Sequence, residues 1–306
     1  MRAANSELCD LCGGNDREFV LSTPRLEGPL VRCRDCSLYF VLTNGDGSGI
    51  SAVSSVSGVT GISSATSQLE RLSERALELD LVDPSVEERE RPWRELAARE
   101  RVDELLGFVS SGRLLEVGCS TGEFLIASRK HFTSTGIEAD EGSSGLARYR
   151  GLDCLTGSLL EADLEGGAFD IVALYHTIEH LPSPKSALEE VHRLLRQGGW
   201  LVIETPDIGS LWFGLLGARW RQFIPDHRYF FTHETIGKLC RDAGFEVRNM
   251  RQVGKAMSTR LFTSRVGRYN KHLAKVLSTI GTRLGVEEKT LRLNLGDVMR
   301  LYAQRV

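Results

Sequence analysis

Gly112-Arg-Leu-Leu-Glu-Val-Gly-Cys-Ser-Thr-Gly-Glu-Phe-Leu125 is the stretch that decides the fold. A short apolar run ends at Val117, glycines at 118 and 122 bracket a tight turn, and a helical pattern opens at Glu123. Strand, glycine-bearing turn and helix N-terminus in succession bring backbone N–H groups close to a ligand. The turn alone is a weak signal, and Ser120 at its middle position breaks the G-x-G-x-x-G dinucleotide pattern. The continuation strengthens it. Thr135-Gly-Ile-Glu-Ala predicts a second strand ending in Glu138, an acid about twenty positions on, where such folds hold a ribose diol. Leu152–Gly157, Phe169–Tyr175 and Trp200–Thr205 predict three further strands. Helical segments separate them, notably Ser186–Leu195, with Gly198-Gly199 as its terminator. Alternating β and α predicts a doubly wound parallel α/β sheet.

Ahead of this core, four of the seven cysteines form two knuckles, Cys9-Asp-Leu-Cys12 and Cys33-Arg-Asp-Cys36. Two C-x-x-C knuckles bring four thiolates to one tetrahedral ion, with Zn–S bonds of about 2.3 Å. A redox C-x-x-C would open a helix in a βαβ context, which is absent here. Cys9, Cys12, Cys33 and Cys36 therefore predict a structural zinc ribbon over residues 1–42, too small for a core of its own. Residues 43–67 are rich in Gly, Ser, Val and Thr with Asp46 as the single charge, the composition of a flexible linker. A helical lead-in follows over 68–110, marked by Leu69, Leu72, Ala76 and Leu79 and by a helix from Pro84 through Trp93 to Val109. The core then occupies 111–306.

From about Arg101 onward the chain resembles the class I S-adenosylmethionine-dependent methyltransferases. Glu116-Val-Gly-Cys-Ser-Thr-Gly122 is similar to their first motif, Tyr175-His-Thr-Ile-Glu-His-Leu181 to the segment after strand four, and Arg196-Gln-Gly-Gly-Trp to the turn into strand five. Asp242-Ala-Gly-Phe-Glu-Val resembles the start of strand six, and Leu295-Gly-Asp-Val-Met-Arg-Leu-Tyr-Ala the antiparallel last strand. The resemblance implies a Rossmann-like seven-stranded sheet and S-adenosyl-L-methionine as cofactor. It implies that Glu116 meets the amino end of the methionine, that Gly118, Ser120 and Gly122 form the cofactor loop, and that Glu138 holds the ribose. Ser158 and Leu159 fall where the family contacts adenine, with Ser158 in place of the usual acid, and Tyr175 borders the methionine. Zinc ribbon and core together resemble bacterial deoxysugar C-methyltransferases and their relatives.

Three residues are candidates for acceptor chemistry: His180, Asp226 and His227. His176-Thr-Ile-Glu179-His180 also spells the H-x-x-E-H pattern of a class of zinc hydrolases. That chemistry needs both histidines on one helical face, and Pro182 and Pro184 argue against a helix here. His180 reads either as hydrogen-bonded packing beside the pocket or as a cofactor or acceptor contact. His227 reads either as a general base, with Asp226 orienting it or sharing the acceptor contact, or as packing beneath the aromatic stretch of residues 211–231. By resemblance, an acid–histidine pair in this region serves acceptor chemistry.

An insertion over 255–293 carries an apolar helical stripe: Phe262, Val266, Tyr269, Leu273, Val276, Ile280 and Leu284. Lys255 to Arg283 holds seven Lys and Arg and no acid, which suits a solvated surface helix, an anionic acceptor or a membrane surface. The chain as a whole has 38 basic and 41 acidic residues, so bulk basicity gives no reason to expect nucleic acid as a partner. No apolar run approaches the ~20 residues of a membrane span. The first residues lack an apolar signal segment, and a cytoplasmic protein is expected. The expected function is methyl transfer to a small molecule, a sugar or nucleotide sugar by preference. A lipid-like quinone precursor is the enzyme alternative. A zinc-ribbon nucleic-acid-binding protein or RNA methyltransferase is the alternative of a different kind. Oligomeric state is not legible.

Overall fold

The computed structural model describes residues 8–42, 91–267, 270–287 and 289–306. The expected linker 43–67 and the lead-in as far as residue 90 lie outside the described residues. The core runs α1 (Arg91–Leu105), β4 (Gly112–Val117), α2 (Glu123–Ser128), β5 (Phe132–Glu138), α3 (Glu141–Tyr149), β6 (Asp153–Thr156), β7 (Phe169–Tyr175), α4 (Pro184–Leu194) and β8 (Leu195–Pro206). After β8 come α5 (Leu211–Leu216), β9 (Tyr229–Phe230), α6 (His233–Asp242), β10 (Phe245–Gln252) and the closing strand β13 (Val298–Arg305). Three short strands, β1 (Arg17–Leu21), β2 (Leu30–Cys33) and β3 (Tyr39–Val41), precede the core.

Seven strands form the central sheet in the order β10-β13-β8-β7-β4-β5-β6. From β6 across to β8 neighbours are parallel, while β13 runs antiparallel to both β8 and β10. This is the Rossmann-like seven-stranded sheet with a reversed last strand that the resemblance implies. Strand order reverses beside β4, where doubly wound sheets open a ligand crevice at the strand carboxyl ends. The central strands are buried on both faces, so Leu114, Leu115, Ile171 to Leu174 and Leu201 to Ile203 read as continuous apolar runs. Thr232 caps α6 through a capping box with Thr235.

Two local expectations change. Helix α4 ends at Leu194 because Leu195 is already extended (φ −70°, ψ 142°), so Gly198-Gly199 lie inside β8 rather than ending the helix. The glycine at 199 serves close packing: a Cβ there would stand 2.9 Å from the Arg196 carbonyl oxygen. The apolar stripe of the insertion is also two helices rather than one. A hairpin of β11 (Lys255–Ser258) and β12 (Thr290–Leu293) encloses α7 (Thr259–Gly267) and α8 (Lys271–Leu284). Asn270 starts α8 afresh by accepting a 3.0 Å bond from Leu273 N–H.

The N-terminal strands do not stand apart. Their sheet takes its fourth strand from the core, in the order β1-β2-β3-β9, with Tyr39 opposite Phe230 and Phe40 opposite Tyr229. Leu11, Val31, Leu38 and Phe40 join one apolar cluster with Leu174, Leu188 and Ile236 of the core. A ribbon too small for its own core thus shares the core of the larger unit.

Candidate active site

The crevice is built from the loop that the sequence marks. Gly118 (φ 73°) and Gly122 (φ 87°) take the left-handed conformations that favour glycine. Ser120 adopts one too, at φ 49°, which accounts for glycine being commoner there in the resembled family. Gly136 on β5 lets the loop cross close above it, since a Cβ would stand 2.5 Å from Cys119 Sγ. Glu138 closes the loop from the neighbouring strand: its Oε2 accepts from Ser120 N–H (2.8 Å) and its Oε1 from Asp140 N–H (2.9 Å). At the mouth of β4, Glu116 is buried and its Oε2 has no hydrogen-bond partner among the described residues. Burial holds its carboxyl well above the usual range, against the nearby charge of Arg101. An orphaned buried carboxylate at a strand end fits an ammonium group.

Other expected contacts divide. Tyr175 is buried, its hydroxyl has no hydrogen-bond partner among the described residues, and its ring lies under the Arg101 guanidinium, 4.1 Å from the centroid. Ser158 gives its hydroxyl to Glu161 (2.8 Å), and the Leu159 side chain belongs to the apolar core.

Beneath the crevice lies a buried charge network that motif reading missed. Glu204 bonds Arg101 at 2.6 Å and Arg300 Nε at 2.8 Å, with His176 Nε2 3.0 Å away, and Arg300 also meets Glu104. Burial works against the Glu204 charge, but Arg101, His176 and Arg300 hold its carboxyl well below the usual range. The signal was present: Glu204 and Arg300 are charges inside otherwise apolar strands, and such charges persist only when paired.

The side of the crevice that carries His180 and Asp226 is assembled by the turn after β7. His176 (φ 55°) breaks the strand, and residues 176–183 form turns rather than a helix, so the hydrolase pattern lacks its helical face. Thr177 Oγ1 donates to the Val117 carbonyl at 2.9 Å, fastening this turn to the glycine loop. Glu179 is fully buried. It accepts from Thr205 Oγ1 (3.0 Å) and lies 3.3 Å from His176 Nδ1. Burial opposes its ionisation, but His176 and the charges of His180 and His227 hold the carboxyl down at about 2.

Asp226 reaches His180 rather than its sequence neighbour. Its Oδ2 is 3.1 Å from His180 Nδ1. Burial would lower the pKa of His180, but Asp226 outweighs it and raises it to about 9. The His180 ring stands edge-on to His227, with centroids 4.6 Å apart. His227 is 4 % exposed, its Nδ1 has no partner among the described residues, and burial, then the neighbouring His180 charge, push its pKa down to about 4. The orienting role expected of Asp226 toward His227 thus falls on His180, while His227 lies behind it. Trp220, Phe223 and Phe230 are also buried, packed with Leu26, Leu30 and Val41 of the N-terminal segment rather than lining the crevice. Donor atoms of Glu179, His180 and His227 converge within 4.8 Å, but the bonds to His176, Thr205 and Asp226 occupy this group as a hydrogen-bond network.

The four N-terminal cysteines also converge. Cys9 and Cys36 sulfurs are 3.4 Å apart, Cys12 and Cys33 sulfurs 3.5 Å, and all four donors lie within 4.8 Å of one another. A tetrahedral zinc with bonds of about 2.3 Å needs sulfurs about 3.8 Å apart, so the donor set fits that ion.

Residues 85–249, more than half of the chain, match the family model described as a methyltransferase domain, and the chain belongs to this family. It is an S-adenosylmethionine-dependent methyltransferase. The ubiquinone biosynthesis O-methyltransferase of Pseudomonas paraeruginosa is 29% identical over 165 residues, 49% of this chain and 70% of the relative. Its namesake from Bordetella avium is 29% identical over 169 residues, 50% of this chain and 69% of the relative. Among solved structures, a Thermotoga maritima methyltransferase described as a possible histamine N-methyltransferase is 21% identical, with a TM-score of 0.49, over 78% of this chain and 97% of its own. Among the described residues no helix is long and apolar enough to cross a membrane.

Proposed function

We propose that the protein O-methylates an acidic hydroxyl of a small aromatic, quinone-precursor-like acceptor, with His180 taking the proton. The observation that carries this is the Asp226–His180 pair, 3.1 Å apart at the carboxyl end of β7. S-adenosylmethionine supplies a methyl group already activated on a sulfonium, so alignment is most of the task. Glu116 receives the amino end of the methionine, the loop of Gly118, Ser120 and Gly122 lies against the cofactor, and Glu138 holds the ribose hydroxyls. The backbone at Ser158 and Leu159 borders the adenine, and Tyr175 walls the methionine side. The acceptor oxygen bonds to the methyl carbon as the carbon–sulfur pair withdraws onto sulfur, and its proton passes to His180 Nε2. A base near 9 is well matched to a phenolic hydroxyl of ordinary pKa ~10 and poorly matched to an alcohol. The names of the relatives support the same acceptor class. The four cysteines hold one structural zinc.

A sugar or nucleotide-sugar acceptor is the second reading, favoured by the cysteine segment joined to an acid–histidine pair. Methyl transfer to hydroxylated aromatics and to nucleotide sugars, followed as S-adenosylhomocysteine formed, separates the two. The base role requires neutral His180, so kcat/KM should rise with pH and level off above about 9. Asp226→Asn removes the charge that raises the His180 pKa, so the rising limb should move to lower pH while the plateau falls by ~100-fold. Turnover of nucleotide sugars alone would sink the aromatic acceptor. A limb that does not move in Asp226→Asn would sink the role of His180.

A further inference from the structure

Helix α8 leaves its apolar stripe uncovered. Leu273, Val276, Ile280 and Leu284 follow one another at helical spacing and are 48%, 54%, 49% and 68% exposed. The helix meets α7 instead where Ala274 faces Gly267, and Gly281 is buried beside Glu287. The helix of fourteen residues is about 21 Å long, and the stripe from Leu273 to Leu284 covers about 17 Å of it. Exposed Lys271, His272, Lys275 and Arg283 share this helix, and no acid occurs between Lys255 and Val286 in a chain whose net charge is −3.

We infer that α8 lies on an anionic lipid surface, with its aliphatic stripe among the acyl chains and its cations at the headgroups. Three observations favour lipid over a protein. The stripe is aliphatic along the described helix, without the aromatic anchors that concentrate binding energy at protein interfaces. Its threonines turn inward: Thr279 Oγ1 donates to the Lys275 carbonyl at 2.8 Å and Thr282 Oγ1 to the Ser278 carbonyl at 3.0 Å, leaving few directional groups for a shaped partner. A second copy meeting this face by two-fold symmetry would set like charge on like charge. A lipid surface asks for an apolar face flanked by Lys and Arg and little more. The inference is independent of which acceptor is methylated.

Co-sedimentation of the full chain with vesicles tests it. Binding should be seen with phosphatidylcholine–phosphatidylglycerol vesicles, be weak with phosphatidylcholine alone, and decline as salt rises. The double variant Val276→Asp, Ile280→Asp should lose binding while still binding S-adenosylhomocysteine in calorimetry, which certifies its fold. Arg283→Gln, which removes the cation beside the stripe on the helix surface, should weaken binding about fivefold. Absence of binding to the anionic vesicles, or binding that the Asp variants leave intact, would overturn the inference. So would a soluble dimer, seen by light scattering, that the double variant dissolves.

Discussion

Two segments decorate the sheet, and they relate to it in opposite ways. Residues 8–42 are sewn into the side of the crevice that carries His180 and Asp226. Asp10, between the first pair of cysteines, accepts from Ser183 Oγ (2.6 Å) and from Lys185 N–H (2.8 Å) at the start of α4. Val41 N–H donates to the Arg228 carbonyl, and Arg228 and Tyr229 N–H groups both reach the Glu179 carbonyl. The first cysteine knuckle and β3 therefore hold both chain segments that carry His180, Asp226 and His227. The insertion between β10 and β13 instead closes on itself through its own hairpin. It is tied to α1 by polar contacts at the surface: Trp93 Nε1 donates to Thr290 Oγ1 at 3.2 Å, and Arg292 pairs with Glu100. One addition is part of the acceptor site's frame, and the other displays a surface.

The largest expected effect tests the frame. Elemental analysis should find about one zinc per chain. Its removal, or Cys33→Ser, should unfold β1–β3, because metal binding in so small a unit is folding energy. Hydrogen exchange should then quicken at 176–183 and 226–230 as well, while S-adenosylhomocysteine affinity, which depends on the glycine loop and Glu138, stays close to wild type. Unchanged protection of those two segments in the metal-free protein would break the comparison, reducing the cysteine segment to a separate appendage.

A smaller effect isolates one stitch. Asp10→Ala leaves all four cysteines in place but removes a carboxylate from the N-terminus of α4, where anions are favourable. A lost cap of this kind costs about 1–2 kcal/mol, readable as a shift of the urea midpoint. Turnover should fall with cofactor affinity intact and zinc content unchanged. Equal losses in turnover and cofactor affinity would mean that the segment supports the whole sheet rather than its acceptor side.

How far these relations could be foreseen depends on their range in sequence. The loop at 112–125 was legible because strand, glycines and helix are contiguous, and the sheet followed from apolar runs at regular intervals. The four cysteines were legible because knuckle spacing is local. Asp226 misled because it adjoins His227 in sequence, whereas its carboxylate meets His180, 46 residues away. Neighbouring side chains in a non-helical segment point in different directions, so adjacency is poor support for a pair. The burial of the aromatics Trp220 and Phe223 was not legible because nothing in the sequence says that the N-terminal strands fold back over them. The break before α8 was hidden for a different reason: the apolar period continues across it, and only the Asn270 cap marks the restart.

The smallest expected effect bears on the exposed segment. Ile280 is 49% exposed on α8, so in dilute solution the native state gains little by its presence. Substitution by alanine at such a position should change unfolding free energy by no more than about 0.5 kcal/mol, and alanine's better helix propensity offsets part of any loss. A buried aliphatic of similar size costs ~2–5 kcal/mol on the same change because it leaves a cavity. Urea unfolding of Ile280→Ala therefore distinguishes a bare stripe from one that is covered in solution. A loss above about 1 kcal/mol, especially one that grows with protein concentration, would show that another copy already shields the face. A near-zero change leaves the aliphatic stripe without a role in stability, and its cost in exposed apolar surface then calls for a ligand outside the chain.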